Sequence, residues 1–68
     1  METKFFERLN ELIDEKDVTC YSLALSIGVN TSTVTRWKKG ITFPTIDKVA
    51  LLCEYFGVTA NYLLGLED

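Results

Sequence analysis

Apolar side chains near the start of the chain fall at Phe5, Phe6, Leu9, Leu12 and Ile13, one stripe at helical spacing. Lys4, Glu7, Arg8, Glu11 and Asp14 occupy the remaining faces, and Asp14-Glu15-Lys16-Asp17 reads as a solvated turn. Thr19 is a suitable N-cap, because its hydroxyl can accept from the unpaired amides of the next turn. A second helix is predicted from about Cys20 to Ile27, burying Leu23, Ala24 and Ile27, with Gly28 ending it and Val29 plugging the turn. Asn30 is another good cap, and a third helix is predicted from Thr31 to about Lys39, with Val34 and Trp37 as its only large apolar residues. Gly40 stops it. The loop Ile41-Thr42-Phe43-Pro44 follows, Pro44 keeping Phe43 out of the helical region, and leads to Thr45 as a further cap. The fourth helix is predicted over Ile46 to Phe56, its buried side being Ile46, Val49, Ala50, Leu52, Cys53 and Phe56. Gly57 closes it. Thr59 then caps a short fifth helix holding Ala60, Leu63 and Leu64. Strand-like alternation is absent, so the expected class is all-α, five short helices in a single domain spanning residues 1–68.

Composition narrows the function. With 68 residues, 47% of them hydrophobic, one economical core can form. No stretch reaches the roughly 18 apolar residues of a membrane span, and Met1-Glu2-Thr3-Lys4 lacks the build of a signal peptide. A cytoplasmic protein is expected. Cys20 and Cys53 are too few for a disulfide scaffold, and without His or a C-x-x-C pair they make a poor metal site. The same shortage of His, and of paired carboxylates, leaves few players for acid-base catalysis, so neither an enzyme nor a cofactor is expected.

The net charge of −3 argues against a nucleic-acid partner until its distribution is considered. Residues 1–17 set Lys4, Arg8 and Lys16 against Glu2, Glu7, Glu11, Asp14, Glu15 and Asp17. Residues 47–68 set Lys48 against Asp47, Glu54, Glu67 and Asp68. Between them, residues 18–46 carry Arg36, Lys38 and Lys39 and no acid. Such asymmetry can turn one face toward an anion while the whole chain stays acidic.

That acid-free segment also holds the most informative pattern. Small Ala24 lets two helices approach, Gly28 makes a sharp turn, and Val34 and Trp37 anchor the next helix by one edge. Two helices joined by a short Gly-containing turn form a helix-turn-helix unit. The outer face of the second helix then shows hydroxyls, Arg36 and lysines, a surface suited to a groove walled by phosphates.

From Phe5 to Leu66 the chain resembles the Cro/repressor-type (XRE family) helix-turn-helix proteins of phages and bacteria. The resemblance rests on Phe6-Glu7-Arg8-Leu9-Asn10-Glu11-Leu12, on Leu23-Ala24 with Ile27-Gly28-Val29, and on Thr33-Val34-Thr35-Arg36-Trp37-Lys38-Lys39-Gly40. Pro44-Thr45-Ile46, Phe56-Gly57-Val58 and Asn61-Tyr62-Leu63-Leu64-Gly65 complete it. It implies five helices, the third entering the major groove with Thr31, Ser32, Thr35 and Arg36 toward base edges. It also implies phosphate contacts at Lys39 and Gly40, with Lys38 a weaker candidate. The family often has Gln where Cys20 stands; Cys replaces that hydrogen bond poorly, leaving Thr19, Tyr21 and the helix N-terminus to hold phosphate with it.

Leu51, Tyr55, Tyr62, Leu64 and Leu66 form more apolar surface than so small a monomer can hide. Tyr55, Tyr62, Leu64 and Leu66 are the expected homodimer contact, since the family often pairs through its fifth helix. The reading is a sequence-specific regulator of the phage or mobile-element kind, a repressor binding a near-palindromic duplex operator. No domain for ligand sensing is expected, so control would come from protein level, operator competition or a partner protein. The alternatives are an antitoxin, a restriction-modification controller, and a protein-interaction module that has lost DNA binding.

Overall fold

Each helical stripe read from the sequence becomes a helix in the computed structural model, which describes residues 4–66. Met1, Glu2 and Thr3 of the leading segment and the charges Glu67 and Asp68 lie outside the described residues. In order, the elements are α1 (Phe5–Glu15), α2 (Cys20–Ile27), α3 (Thr31–Lys39), α4 (Ile46–Phe56) and α5 (Ala60–Leu63), with no strand among the described residues. None of these helices is long and apolar enough to cross a membrane.

All five helices stop by the same device. A residue in left-handed backbone follows the helix, and the apolar residue after it donates its N–H to the carbonyl five positions back. These bonds run from Val18 to Ile13 (3.2 Å), Val29 to Ala24 (3.0 Å), Ile41 to Arg36 (3.0 Å), Val58 to Cys53 (3.0 Å) and Leu66 to Asn61 (2.7 Å). Four of the left-handed residues are glycines; the fifth is Asp17, at φ 54°. Asp tolerates this region better than most side chains but still bears a steric cost there. Val18, Val29 and Val58 thereby pack against the core, whereas Ile41 and Leu66 stay exposed.

The core gathers Phe5, Leu9, Leu12 and Ile13 of α1 with Leu23, Ala24 and Ile27 of α2. Val34 and Trp37 of α3, Val49, Leu52 and Phe56 of α4, and Leu63 of α5 complete it. α1 packs on α3 and α5, α2 lies between α3 and α4, and α4 also meets α5. The first described residue meets the turn after α5: the Lys4 amide donates to the Leu64 carbonyl at 3.4 Å, and a Cβ on Gly65 would fall 2.6 Å from Lys4 Cβ.

Several expectations are corrected. Ile46 is 88% exposed, Ala50 is exposed, and Cys53 is only half-buried. Helical spacing puts Ile46 on the same stripe as Val49 and Cys53. Its position in the first turn of α4, however, carries it past the neighbouring helices. Burial pushes the Cys53 thiol above its ordinary pKa. Thr19 and Thr59 cap as expected, accepting from the amides of Ser22 (3.0 Å) and Tyr62 (3.1 Å). The side chains of Asn30 and Thr45 make no cap hydrogen bond. Asn30 acts through its backbone, its carbonyl accepting from the Thr33 and Val34 amides at 3.0 and 3.4 Å. The Thr45 hydroxyl instead donates to the Asp47 carboxylate at 2.6 Å, which holds that carboxyl below its ordinary pKa.

Phe43, just before Pro44, rests its ring on α1. Its centroid lies 4.9 Å from that of Phe5 and 5.4 Å from that of Phe6, and the two α1 rings meet edge-to-face at 5.5 Å. The loop leaving α3 is thereby pinned to the helix beneath it.

Candidate nucleic-acid interface

At about 100° per residue, Val34 and Trp37 leave one side of α3 while Ser32 and Lys39 leave the other, with Thr35 and Arg36 flanking them. The structure realises that division. Val34 and Trp37 are 0% and 2% exposed, whereas Thr31, Ser32, Arg36 and Lys39 are exposed. Thr35 and Lys38 are half-buried on one flank and Thr33 on the other. Ala24, buried at the facing position of α2, brings the two helices close, and the Trp37 indole belongs to the core rather than to any stacking platform.

The end of α3 is secured from outside the helix. Of the carbonyls that a helix C-terminus leaves unpaired, that of Arg36 accepts from Ile41 and that of Trp37 from Gly40, at 3.0 and 3.2 Å. The Lys38 carbonyl accepts from the side-chain amide of Asn10, on α1, at 3.1 Å. The same Asn10 nitrogen donates to the Phe6 carbonyl at 2.8 Å, so one NH2 group bridges α1 and the last turn of α3. Beside it, a Cβ on Gly40 would lie 3.4 Å from the Phe6 ring, and the residue's φ of 75° also suits glycine. α3 is therefore fixed in roll by Val34 and Trp37 and at its end by Asn10, before any ligand arrives.

Its outer face is cationic and hydroxylic. Arg36, Lys38 and Lys39 crowd the last turn, where the macrodipole favours cations. Among the described residues the Arg36 guanidinium makes no ion pair. The Thr35 hydroxyl donates to the Thr31 carbonyl at 3.2 Å, one turn back along the same helix.

The remaining sequence-derived positions divide. Tyr21, in the first turn of α2, is 64% exposed. The Thr19 oxygen accepts the Ser22 amide, which leaves its proton available to an anion. The Cys20 side chain packs against the core, so its contribution to an anion site is its backbone amide, which with that of Tyr21 belongs to the unpaired first turn of α2. Away from α3, Tyr55 is 37% and Leu66 61% exposed. Tyr62 and Leu64 pack partly against the core, and the Arg8 guanidinium sits 4.4 Å from the Tyr62 ring centroid. Half of the expected dimer surface is thus already engaged within the chain.

Sequence reading missed Asn10 and Phe43. A polar amide inside an amphipathic helix of indifferent propensity was the available signal for Asn10; nothing local marked its partner 28 residues away.

Comparison with known proteins agrees with this geometry. The family model described as a helix-turn-helix domain matches residues 6–68. The HTH-type transcriptional activator BcrR of Enterococcus faecalis is 28% identical over 65 residues, covering 96% of this chain and 32% of that protein. A transcriptional regulator from Listeria innocua superposes with a TM-score of 0.92 at 29% identity, over 100% of this chain and 64% of that one. The SOS-response transcriptional repressor LexA from Eubacterium rectale superposes with a TM-score of 0.85 at 39% identity, over 94% of this chain and 66% of that one. The chain spans about a third of the curated relative and just under two thirds of each solved structure. A motif formed by α2 and α3 within five helices, matched over nearly the whole chain, makes this protein a member of the helix-turn-helix domain family, of the XRE type.

Proposed function

We propose that this chain binds duplex DNA in a sequence-specific manner and regulates transcription, with α3 lying in the major groove. The observation that carries the reading is the outer face of α3. Thr31, Ser32, Arg36 and Lys39 stand exposed on a helix locked by Val34, Trp37 and Asn10, within a segment free of acids. Arg36 can grip guanine O6 and N7 with two hydrogen bonds, and Thr31 and Ser32 can donate to or accept from base edges. Lys39, Tyr21, Thr19 and the amides opening α2 take the flanking phosphates, which fix register without reading sequence.

One such helix reads only a few base pairs, so the functional unit is a homodimer on a near-palindrome, its reading helices about 34 Å apart. Exposed Tyr55 and Leu66, with the uncovered parts of Tyr62 and Leu64, are the contact we assign to it. Repression by occupancy is the action we assign, because it needs only a bound domain at a promoter. The relatives include both an activator and a repressor. The proposed setting is the cytoplasm.

The test is selection of bound duplexes from a random pool, followed by Arg36→Ala. That exposed residue should leave the melting temperature unchanged while affinity falls by about 1–3 kcal/mol and preference relaxes at one position. A protein-interaction module would enrich no sequence and would be indifferent to the substitution.

A further inference from the structure

Among the described hydroxyls of the α3 face, that of Thr35 has a defined acceptor for its proton. That proton goes to the Thr31 carbonyl at 3.2 Å. Threonine in a helix commonly settles in the rotamer that allows such a bond. With the hydroxyl turned inward along the helix, the donor is spent, and the oxygen is drawn toward the backbone. The branch left to meet a ligand is the γ-methyl. Thr35 is also half-buried on the flank of the face, between exposed Thr31 and Lys39, where a base edge would close over it and exclude water. In a groove emptied of water, turning the hydroxyl outward would cost its existing hydrogen bond, whereas the methyl group gains by being covered.

We propose that Thr35 is a specificity-determining residue that reads the 5-methyl group of a thymine through its own γ-methyl, with its hydroxyl held by the Thr31 carbonyl. The inference rests on the DNA-binding reading above and adds the chemistry recognised at one position. In the major groove thymine alone among the four bases carries that methyl. Arg36, at the next position, supplies hydrogen-bonded readout of guanine, so the two residues would read neighbouring bases by different physics.

The test starts from duplexes selected by the full chain and replaces each thymine in turn by deoxyuridine, which removes the methyl and nothing else. For the wild type, one replacement in each half-site should weaken binding about fourfold, the worth of one covered methyl group. Thr35→Val, which keeps the methyl and drops the hydroxyl, should retain that sensitivity. Thr35→Ser, which keeps the hydroxyl and drops the methyl, should bind thymine and deoxyuridine duplexes equally. Val is nearly isosteric with Thr and Ser is smaller by one methyl group, and melting curves of both variants report that the fold persists. The opposite crossing, with Ser keeping the preference and Val losing it, overturns the inference in favour of hydroxyl readout. A selected motif in which no thymine replacement responds to residue 35 overturns it as well, while leaving the regulator reading standing. If the wild type enriches no duplex at all, the regulator reading fails, and this inference falls with it.

Discussion

α2 and α3 are eight and nine residues long, each ends on a left-handed glycine, and each presents one side to the core, yet they use their other sides differently. α2 buries Leu23, Ala24 and Ile27 and shows solvent an uncharged surface of Tyr21, Ser22, Leu25 and Ser26. α3 buries only Val34 and Trp37 and shows hydroxyls, a guanidinium and ammonium groups. The difference is one of support against display. α2 supplies the small Ala24 and the sharp turn that fix the distance between the helices. α3 gives up apolar contact so that most of its circumference stays open, and borrows its rigidity from α1 through Asn10 and the Phe6 ring. α3 needs so little apolar surface of its own because α1 brings contacts to it.

Breaking the anchor of α3 should have the largest effect. Trp37→Ala should remove about 3–5 kcal/mol, comparable with the whole stability of a chain this small, about 3–10 kcal/mol. Circular dichroism on heating should show no cooperative transition near that of the wild type, whereas Leu25→Ala on exposed α2 should change stability by less than about 0.5 kcal/mol. Equal losses from the two would contradict the division between support and display.

Removing the borrowed rigidity is the next step. Asn10→Ala leaves the Lys38 carbonyl without its partner and should cost about 1 kcal/mol in urea unfolding. Asn10→Asp should cost more, since a carboxylate would face two carbonyl oxygens. A neutral outcome for both would mean that α3 is held by its apolar edge alone.

The smallest effect is a gain. Among the five helix terminators only Asp17 holds left-handed backbone with a side chain, and it does so at a helix C-terminus where a negative charge is disfavoured. Asp17→Gly should stabilise by about 0.5–1 kcal/mol, read as a higher urea midpoint with an unchanged slope. It lies in the turn between α1 and α2, two residues before Thr19, so removing its negative charge beside the proposed phosphate contacts should raise DNA affinity slightly.

Most of the architecture was legible because it is local. The bounds of α2, α3 and α4 follow from caps, terminators and spacing, and the inward turn of Trp37 follows from its distance to Val34. What escaped depends on contacts far apart in sequence. Ile46 keeps its stripe but outruns its neighbours, Phe43 finds the rings of α1, and Asn10 finds a carbonyl on α3. Asp17 read as part of a solvated turn, and its left-handed backbone carries no signature as strong as glycine. Within the face itself, exposure of Thr31, Ser32, Arg36 and Lys39 was predictable from period. The inward hydroxyl of Thr35 was not, because it depends on a rotamer.

The most direct measurement is a titration of the isotopically labelled chain with a selected DNA duplex, followed by amide chemical shifts. The account predicts the largest changes along Thr31 to Gly40 and at the opening amides of α2, Cys20 and Tyr21. Leu25 and the exposed side of α4 around Ala50 should stay nearly still. Changes centred on α4 and α5, with α3 silent, would contradict it, since the groove-reading helix would then be elsewhere.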